Sequence, residues 1–166
     1  MSGVLFVCTG NQCRSPLAEA KFKAMMEEYG LTGWQIESAG TWIENGFPGD
    51  KRALAWAEKE GLNIRNHTTQ RVNGKLLNQH DLIVVMEKGH QEALRSNYPN
   101  LNGKIMGLSE LSGPFYDIPD PVSLPDEEFE EISKEVVNLV KKGFNEIVNR
   151  LMKTQNSQEK KTFPSL

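Results

Sequence analysis

Val4-Leu5-Phe6-Val7-Cys8-Thr9-Gly10-Asn11-Gln12-Cys13-Arg14-Ser15-Pro16 is the stretch that decides the fold. Its first four residues form a continuous apolar run, which is typical of a strand buried on both faces in a parallel sheet. A polar turn follows, and Ser15-Pro16 then favours a helix start with Ser15 as the N-cap and Pro16 at the first helical position. The stretch therefore predicts a strand, a tight loop and a helix.

The rest of the chain repeats this alternation. Apolar runs predict strands at 35–39, 82–86 and 105–106, and helical periodicity predicts helices at 50–60, 76–77, 91–96 and 126–152. Strands that alternate with helices predict an α/β fold, a single-domain three-layer sandwich with a four-stranded parallel sheet and helices on both faces. This arrangement is doubly wound and flavodoxin-like. The domain is predicted to span residues 1–152, and the polar, aperiodic segment 153–166 is predicted to be a disordered tail.

Bulk composition is that of an ordinary globular protein. The chain has 166 residues, of which 38% are hydrophobic and 25% charged, and its formal net charge is -3. This balance argues against nucleic acid or a membrane as the main partner. There is no secretory signal or membrane-length apolar run, so we expect a cytoplasmic protein with reduced thiols. The two cysteines and three histidines lack the spacing of a zinc site, so we expect no metal and no cofactor.

The loop from Cys8 to Arg14 carries the chemistry. It would lie at the carboxyl end of the first strand, where open α/β sheets bind their ligands. Its backbone amides and the following helix start favour a phosphate or sulfate dianion, and Arg14 can add a bidentate clamp. The same positive field stabilises a nucleophilic thiolate at Cys8. Gly10 and Asn11 suit the tight backbone of such a loop.

Val7 to Pro16 resembles the signature of the low-molecular-weight protein-tyrosine phosphatases, which also begins near the N-terminus in that family. The resemblance covers about residues 3–152 and includes Ser38 to Thr41, Asp81 to Met86 and Asp117-Ile118-Pro119-Asp120-Pro121, the last of which is similar to the family's acid loop. It implies hydrolysis of protein phosphotyrosine through a phosphocysteine intermediate.

The resemblance also implies a role for each residue of the site. Cys8 would be the nucleophile, Arg14 the phosphate clamp and Asp120 the general acid and base, with Asp117 and Asp126 as local competitors for the acid role. Ser15 would bind the sulfur of Cys8, and Asn11 and His67 would hold the loop in shape. The residues expected to bind substrate are Thr9, Gly10, Asn11, Gln12, Cys13, Ser15 and Trp42.

Two positions depart from the family pattern. Val122 and Ser123 stand where the family often has aromatics at the phosphotyrosine entrance; Trp42, Phe47, Phe115 and Tyr116 are the candidates to replace them. Gln12 occupies a position that helps related bacterial enzymes choose between phosphotyrosine and phosphoarginine, and a longer amide fits neither preference clearly.

The sequence leaves several alternatives open. The chain could be a protein arginine phosphatase, an arsenate reductase that uses external thiols, or a non-catalytic phosphate-binding module. No cysteine follows Cys13, so the internal thiol relay of arsenate reductases is missing, and a binding module would not need Cys8, Arg14 and Asp120 together.

By resemblance, Cys13 could form a reversible disulfide with Cys8; it could also be a buried thiol. Expected partners are a phosphorylated protein or small aryl phosphate, with inorganic phosphate or sulfate in the loop, and the chain is expected to be a monomer or weak dimer.

Overall fold

Within the part of the chain that the structure describes, the central sheet has four strands, and all of them run parallel. The computed structural model describes residues 3–101 and 103–162. The strands are β1 (Gly3–Cys8), β2 (Gln35–Gly40), β3 (Leu82–Val85) and β4 (Ile105–Gly107), and they lie in the order β2-β1-β3-β4. In register, Cys8 pairs with Gly40 on one side and Val7 with Val85 on the other. The predicted four-stranded parallel sheet is confirmed.

Helices cover both faces of this sheet. They are α1 (Arg14–Glu28), α2 (Lys51–Lys59), α3 (Gly74–Asn78), α4 (Lys88–Asn97) and α5 (Asp126–Thr162). Helices α1, α2 and α5 pack on the face that carries Val4 and Phe6, and α3 and α4 pack on the face that carries Leu5 and Val7. The doubly wound, three-layer α/β architecture predicted from the alternation of strands and helices is therefore confirmed.

Strand β1 is the buried centre of the fold. The side chains of Val4, Leu5, Phe6 and Val7 have no exposed surface, and burying each one contributes on the order of 1.5–3 kcal/mol. This packing fixes where the strand ends, and therefore where Cys8 lies. The direction of the strand order reverses between β1 and β3, so Cys8 lies at the switch point where such sheets form a binding crevice.

Helix α1 begins earlier than predicted. Its first residue is Arg14 and its N-cap is Cys13, whose side chain makes no capping hydrogen bond. The prediction that Ser15 caps the helix is wrong, because the Ser15 hydroxyl lies within hydrogen-bonding distance of the Cys8 sulfur instead. Pro16 consequently occupies the third helical position, still within the first turn, where its missing N–H costs nothing.

Helix α5 is longer than predicted. It continues ten residues past the predicted end at 152, whereas the sequence predicted that the domain gives way there to a disordered tail. Residues 153–162 contain no Gly or Pro, and hydroxyls at Thr154 and Ser157 donate to carbonyls one turn earlier. Residues 163–166 of the predicted tail lie outside the described residues. Within the described ranges, no helix is both long and apolar enough to cross a membrane.

Candidate active site

The Cys8 sulfur lies at the bottom of the loop between β1 and α1. The backbone N–H of Asn11 donates to it over 3.3 Å, and the Ser15 hydroxyl lies 2.9 Å from it. Cys8 itself is only 2% exposed. Two donors directed at one buried sulfur stabilise a negative charge there, since hydrogen bonds to ionised groups are stronger than neutral ones.

Asn11 holds the loop in shape through its backbone conformation and its side-chain hydrogen bonds. It is fully buried and adopts a φ of 53°, in the left-handed region that Asn tolerates better than most residues. Its side-chain nitrogen donates to the hydroxyls of Ser15 and Ser38 over 2.9 and 3.0 Å, and its side-chain oxygen, Oδ1, accepts from the backbone N–H of Gln70. Because Asn11 donates to the Ser15 oxygen, the Ser15 proton is free to point at the Cys8 sulfur.

Further contacts hold the outside of the loop. His67 Nε2 donates to the backbone oxygen of Asn11 over 2.6 Å, so the two residues that the resemblance expects to shape the loop contact each other. Gly40 lies directly behind the loop, where an added Cβ would come within 2.5 Å of the Thr9 carbonyl oxygen. The loop is therefore packed against β2 and the 67–70 segment with no room for a side chain at position 40.

Arg14 is buried, and both terminal nitrogens of its guanidinium have partners. Its guanidinium is 2% exposed and donates through Nη1 to the backbone oxygen of Ile118 over 2.7 Å. Glu87 Oε1 lies 3.3 Å from Nη1, and Asp120 Oδ2 lies 3.6 Å from Nη2. A buried cation needs such partners, because an unpaired one carries a large desolvation cost. The pairing holds the guanidinium in a fixed orientation beside the loop.

Glu87 and His90 belong to the site, although the sequence did not point to them. His90 Nε2 lies 2.8 Å from the Thr9 hydroxyl, and the Glu87 backbone N–H donates to Nδ1. The ring proton is therefore on Nε2. Burial, together with the positive charge of Arg14, lowers the pKa of His90 to about 4. His90 is thus a neutral donor that orients Thr9, whose hydroxyl also accepts from Arg14 over 3.4 Å.

Among the three candidate acids, Asp120 is the one that faces the loop. It is 46% exposed, and its Oδ1 accepts from the backbone N–H of Val122. Asp117 instead accepts from the backbone N–H of Lys88 at the start of α4, and Asp126 pairs with Arg52. Of the three, Asp120 is the carboxyl that lines the same hollow as Cys8.

A small hollow brings most of the predicted residues together. It is lined by Cys8, Gly10, Gln12, Cys13, Arg14, Asp120 and Val122. Thr9, Asn11 and Ser15 support it from behind through the bonds described above. Cys13 is buried, and this burial, with the nearby Cys8, raises the pKa of its thiol well above the usual range. Cys13 is therefore a neutral thiol at the wall of the hollow.

The aromatic residues do not line this hollow. Trp42 is 78% exposed and borders a separate hollow with Phe47 and Arg71, although its backbone N–H donates to the Thr9 oxygen. Phe115 packs against the core beside β4, and the Tyr116 hydroxyl donates to Glu135 on α5. The described residues also contain no group of three or more His, Cys, Asp or Glu side chains arranged to hold a metal ion.

Comparison with known proteins agrees with this geometry. The family model described as "Low molecular weight phosphotyrosine protein phosphatase" matches residues 3–156. The chain belongs to this family. The enzyme is accordingly a low-molecular-weight protein-tyrosine phosphatase by descent and fold, as the loop signature implied.

Individual members of the family resemble this phosphatase along most of their length. A probable low molecular weight protein-tyrosine-phosphatase, EpsP, from Ralstonia nicotianae is 31% identical over 89% of this chain and 94% of its own. The tyrosine phosphatase Wzb from Escherichia coli K30, solved in complex with sulphate, is 30% identical with a TM-score of 0.79, covering 87% and 97%. The YwlE arginine phosphatase from Geobacillus stearothermophilus is 25% identical with a TM-score of 0.75, covering 99% of both chains.

Proposed function

We propose that this phosphatase hydrolyses phosphotyrosine in proteins, with Cys8 as nucleophile, Arg14 as phosphate clamp and Asp120 as general acid and base. The observation that carries the proposal is the convergence of these three side chains on one hollow. A buried sulfur with two donors, a fixed guanidinium and a partly exposed carboxyl is the set that phosphoryl transfer to a thiolate requires.

In the first step the Cys8 thiolate attacks phosphorus in line with the ester oxygen. The sulfur–phosphorus bond forms as the phosphorus–oxygen bond breaks, and Asp120 gives its proton to the departing phenolate. The amides of residues 9–14 and the guanidinium of Arg14 hold the three equatorial oxygens. The Ser15 hydroxyl, oriented by Asn11, stabilises the thiolate before attack.

In the second step water releases the phosphate. Asp120, now ionised, takes a proton from the water that attacks phosphorus, and the sulfur–phosphorus bond breaks to regenerate the Cys8 thiolate. Ser15 again donates to the sulfur, now as the leaving group. Every proton is accounted for by Asp120 and water, so the cycle needs no cofactor or metal.

Two substitutions test these roles. Cys8→Ser should abolish turnover and retain binding of inorganic phosphate, because the amides and Arg14 remain in place. Asp120→Ala should lower kcat by roughly 10²–10⁴-fold. Hydrolysis at the native rate by Cys8→Ser would refute the covalent mechanism, and an unchanged rate for Asp120→Ala would remove that residue from the acid role.

Gln12 favours a second candidate, a protein arginine phosphatase. Its side-chain nitrogen donates to the Pro48 oxygen over 3.1 Å, and its amide oxygen lies on the side of Gly10 at the hollow, where no hydrogen bond joins it to another of the described residues. A free acceptor there suits the N–H groups of a phosphoarginine guanidinium, which phosphotyrosine lacks. The structural relative YwlE is named an arginine phosphatase.

A competition panel separates the candidate substrates. It would contain peptides with phosphotyrosine, phosphoarginine and phosphoserine, together with arsenate in the presence of an external thiol. The main proposal expects the highest kcat/KM for phosphotyrosine; a preference for phosphoarginine that Gln12→Ile removes would establish the alternative. Turnover of arsenate alone would replace both with the reductase.

Cys13 adds a proposal on oxidation. Cys13 and Cys8 line the same hollow, so a Cys8 sulfenic acid formed by peroxide would condense with the Cys13 thiol and release water. The resulting disulfide protects the nucleophile from further oxidation. Mass spectrometry after mild peroxide treatment should find the disulfide; Cys8 found only as sulfinic acid would contradict this role.

A further inference from the structure

Arg52, on the first turn of α2, binds the loop that carries Asp120. Its Nη1 donates to the Leu124 carbonyl over 2.7 Å and lies 3.2 Å from an Asp126 carboxylate oxygen. Its Nη2 donates to the carbonyls of Val122 and Pro121 over 2.8 and 3.3 Å. One guanidinium therefore binds three backbone carbonyls of the segment 121–124, which directly follows Asp120.

The guanidinium is itself held in place. Its central carbon lies 4.2 Å from the centre of the Phe129 ring, in the geometry of a cation–π contact. The side chain is 33% exposed, so these contacts are partly shielded from water. Only the planar fork of arginine can serve several carbonyls at once and stack on a ring, and lysine could not replace it.

The same helix turn is bonded to the phosphate-binding loop. The backbone N–H of Asp50, the N-cap of α2, donates to the Gln12 carbonyl over 2.9 Å. The Asp50 carboxylate in turn accepts from the backbone N–H of Arg52 over 2.8 Å. The start of α2 thus touches the nucleophile's loop through its backbone and the acid's loop through a side chain.

A single residue, Val122, connects Arg52 to Asp120. Val122 gives its carbonyl to Arg52 and its N–H to the Oδ1 of Asp120. Among the described residues, the bonds that tie 120–124 to other elements come from Arg14 and Arg52. We infer that Arg52 is a positioning residue that sets the Asp120 carboxyl relative to Cys8. This inference rests on the proposed acid role of Asp120.

A positioning role predicts a dependence on the leaving group. Phenolate is a poorer leaving group than 4-nitrophenolate and needs the proton from Asp120 more. Arg52→Met should therefore lower kcat/KM for phenyl phosphate by roughly 10- to 100-fold, because an acid displaced by about 1 Å loses that much. The loss with 4-nitrophenyl phosphate should be several times smaller. Inhibition by inorganic phosphate should stay unchanged, because the side chain of Arg52 bonds to the loop that carries Asp120 and not to the phosphate-binding loop.

The matched control is Arg65→Met. Arg65 is an exposed arginine that pairs with Glu58 on the surface, away from the acid loop. It should change neither kcat/KM nor the ratio between the two substrates. If Arg52→Met does not fold, Arg52→Lys gives the same readout, with an altered ratio expected.

Two comparisons distinguish the positioning role of Arg52 from the acid role of Asp120. Asp120→Ala should show the same selective loss with phenyl phosphate, and adding Arg52→Met to it should cause no further selective loss. An unchanged ratio in the Arg52 variants, with a changed ratio in Asp120→Ala, would overturn the positioning role alone. An unchanged ratio in Asp120→Ala would overturn the acid assignment on which the inference rests.

Discussion

Replacing Asn11 tests how the phosphate-binding loop keeps its shape. Asn11→Gly removes three hydrogen bonds, two buried ones to the hydroxyls of Ser15 and Ser38 and a partly buried one from the N–H of Gln70. Each group left without a partner costs on the order of 1–3 kcal/mol. The Ser15 hydroxyl keeps the Cys8 sulfur at 2.9 Å and the Ala39 oxygen at 3.4 Å as partners. The Ser38 oxygen loses a donor and the Gln70 N–H loses its acceptor, so we expect a loss of about 2–4 kcal/mol in unfolding free energy.

Asn11→Ala separates the backbone from the side chain. Both variants lose the same hydrogen bonds, but alanine must also adopt the φ of 53°, which costs roughly 1–2 kcal/mol. The greater freedom of glycine in the unfolded chain offsets about 0.5–1 kcal/mol of that difference. The alanine variant should therefore be less stable than the glycine variant by about 0.5–1 kcal/mol.

Urea unfolding monitored by circular dichroism measures both differences, with the slope of the transition held common to the variants. A loss below about 1 kcal/mol in both would refute the hydrogen-bond argument. An alanine variant as stable as the glycine variant would refute the backbone argument. Both variants should also lower kcat/KM, because the Ser15 hydroxyl is no longer directed at the Cys8 sulfur.

Three further predictions follow from other contacts of the site. Gly40→Ala should lower stability by about 1–3 kcal/mol and also kcat/KM, because its Cβ would meet the Thr9 oxygen at 2.5 Å; a native urea midpoint would contradict this. Since the pKa of His90 is about 4 when folded and about 6.5 when unfolded, the unfolded chain takes up a proton that the folded protein does not. The free energy of unfolding should therefore be highest above pH 6.5 and should fall by up to about 3 kcal/mol towards pH 4. In His90→Gln, the urea midpoint should fall less over the same pH range. Arg14→Lys should weaken inhibition by inorganic phosphate at least tenfold, or about 1.4 kcal/mol, because lysine cannot serve Ile118, Glu87 and an oxyanion together; equal inhibition would refute the clamp.

The sequence was sufficient to predict the fold because its strongest signals are local. The apolar run of β1, the turn after Cys8 and the periodicity of α5 each depend on neighbouring residues. Once the sheet is parallel, the carboxyl ends of its strands meet at one edge. This edge accounts for the position of Cys8, whereas Asp120, more than a hundred residues away, was expected at the same hollow through the family resemblance.

The parts that escaped prediction depend on distant partners. His90 contacts Thr9 across 81 positions of sequence, and α4 begins three residues before the predicted helix, so Glu87 and His90 looked like ordinary loop residues. Ser15 has the local signature of an N-cap, but the tertiary contact with Cys8 takes its hydroxyl. The continuation of α5 rests on helix-forming side chains without apolar periodicity, a weaker signal than the one that predicted its core.

The parallel topology also has a kinetic consequence. The cradle around Cys8 receives Ser38 from β2, Gln70 from the segment before α3, Glu87 from the end of β3 and Asp120 from the loop before α5. Each arrives by a separate crossover, and contacts so distant in sequence form late, after the entropy of closing long loops has been lost. Enzymatic activity should therefore return after the helical circular-dichroism signal during refolding. Recovery of activity would then show that all the crossovers of the sheet have formed.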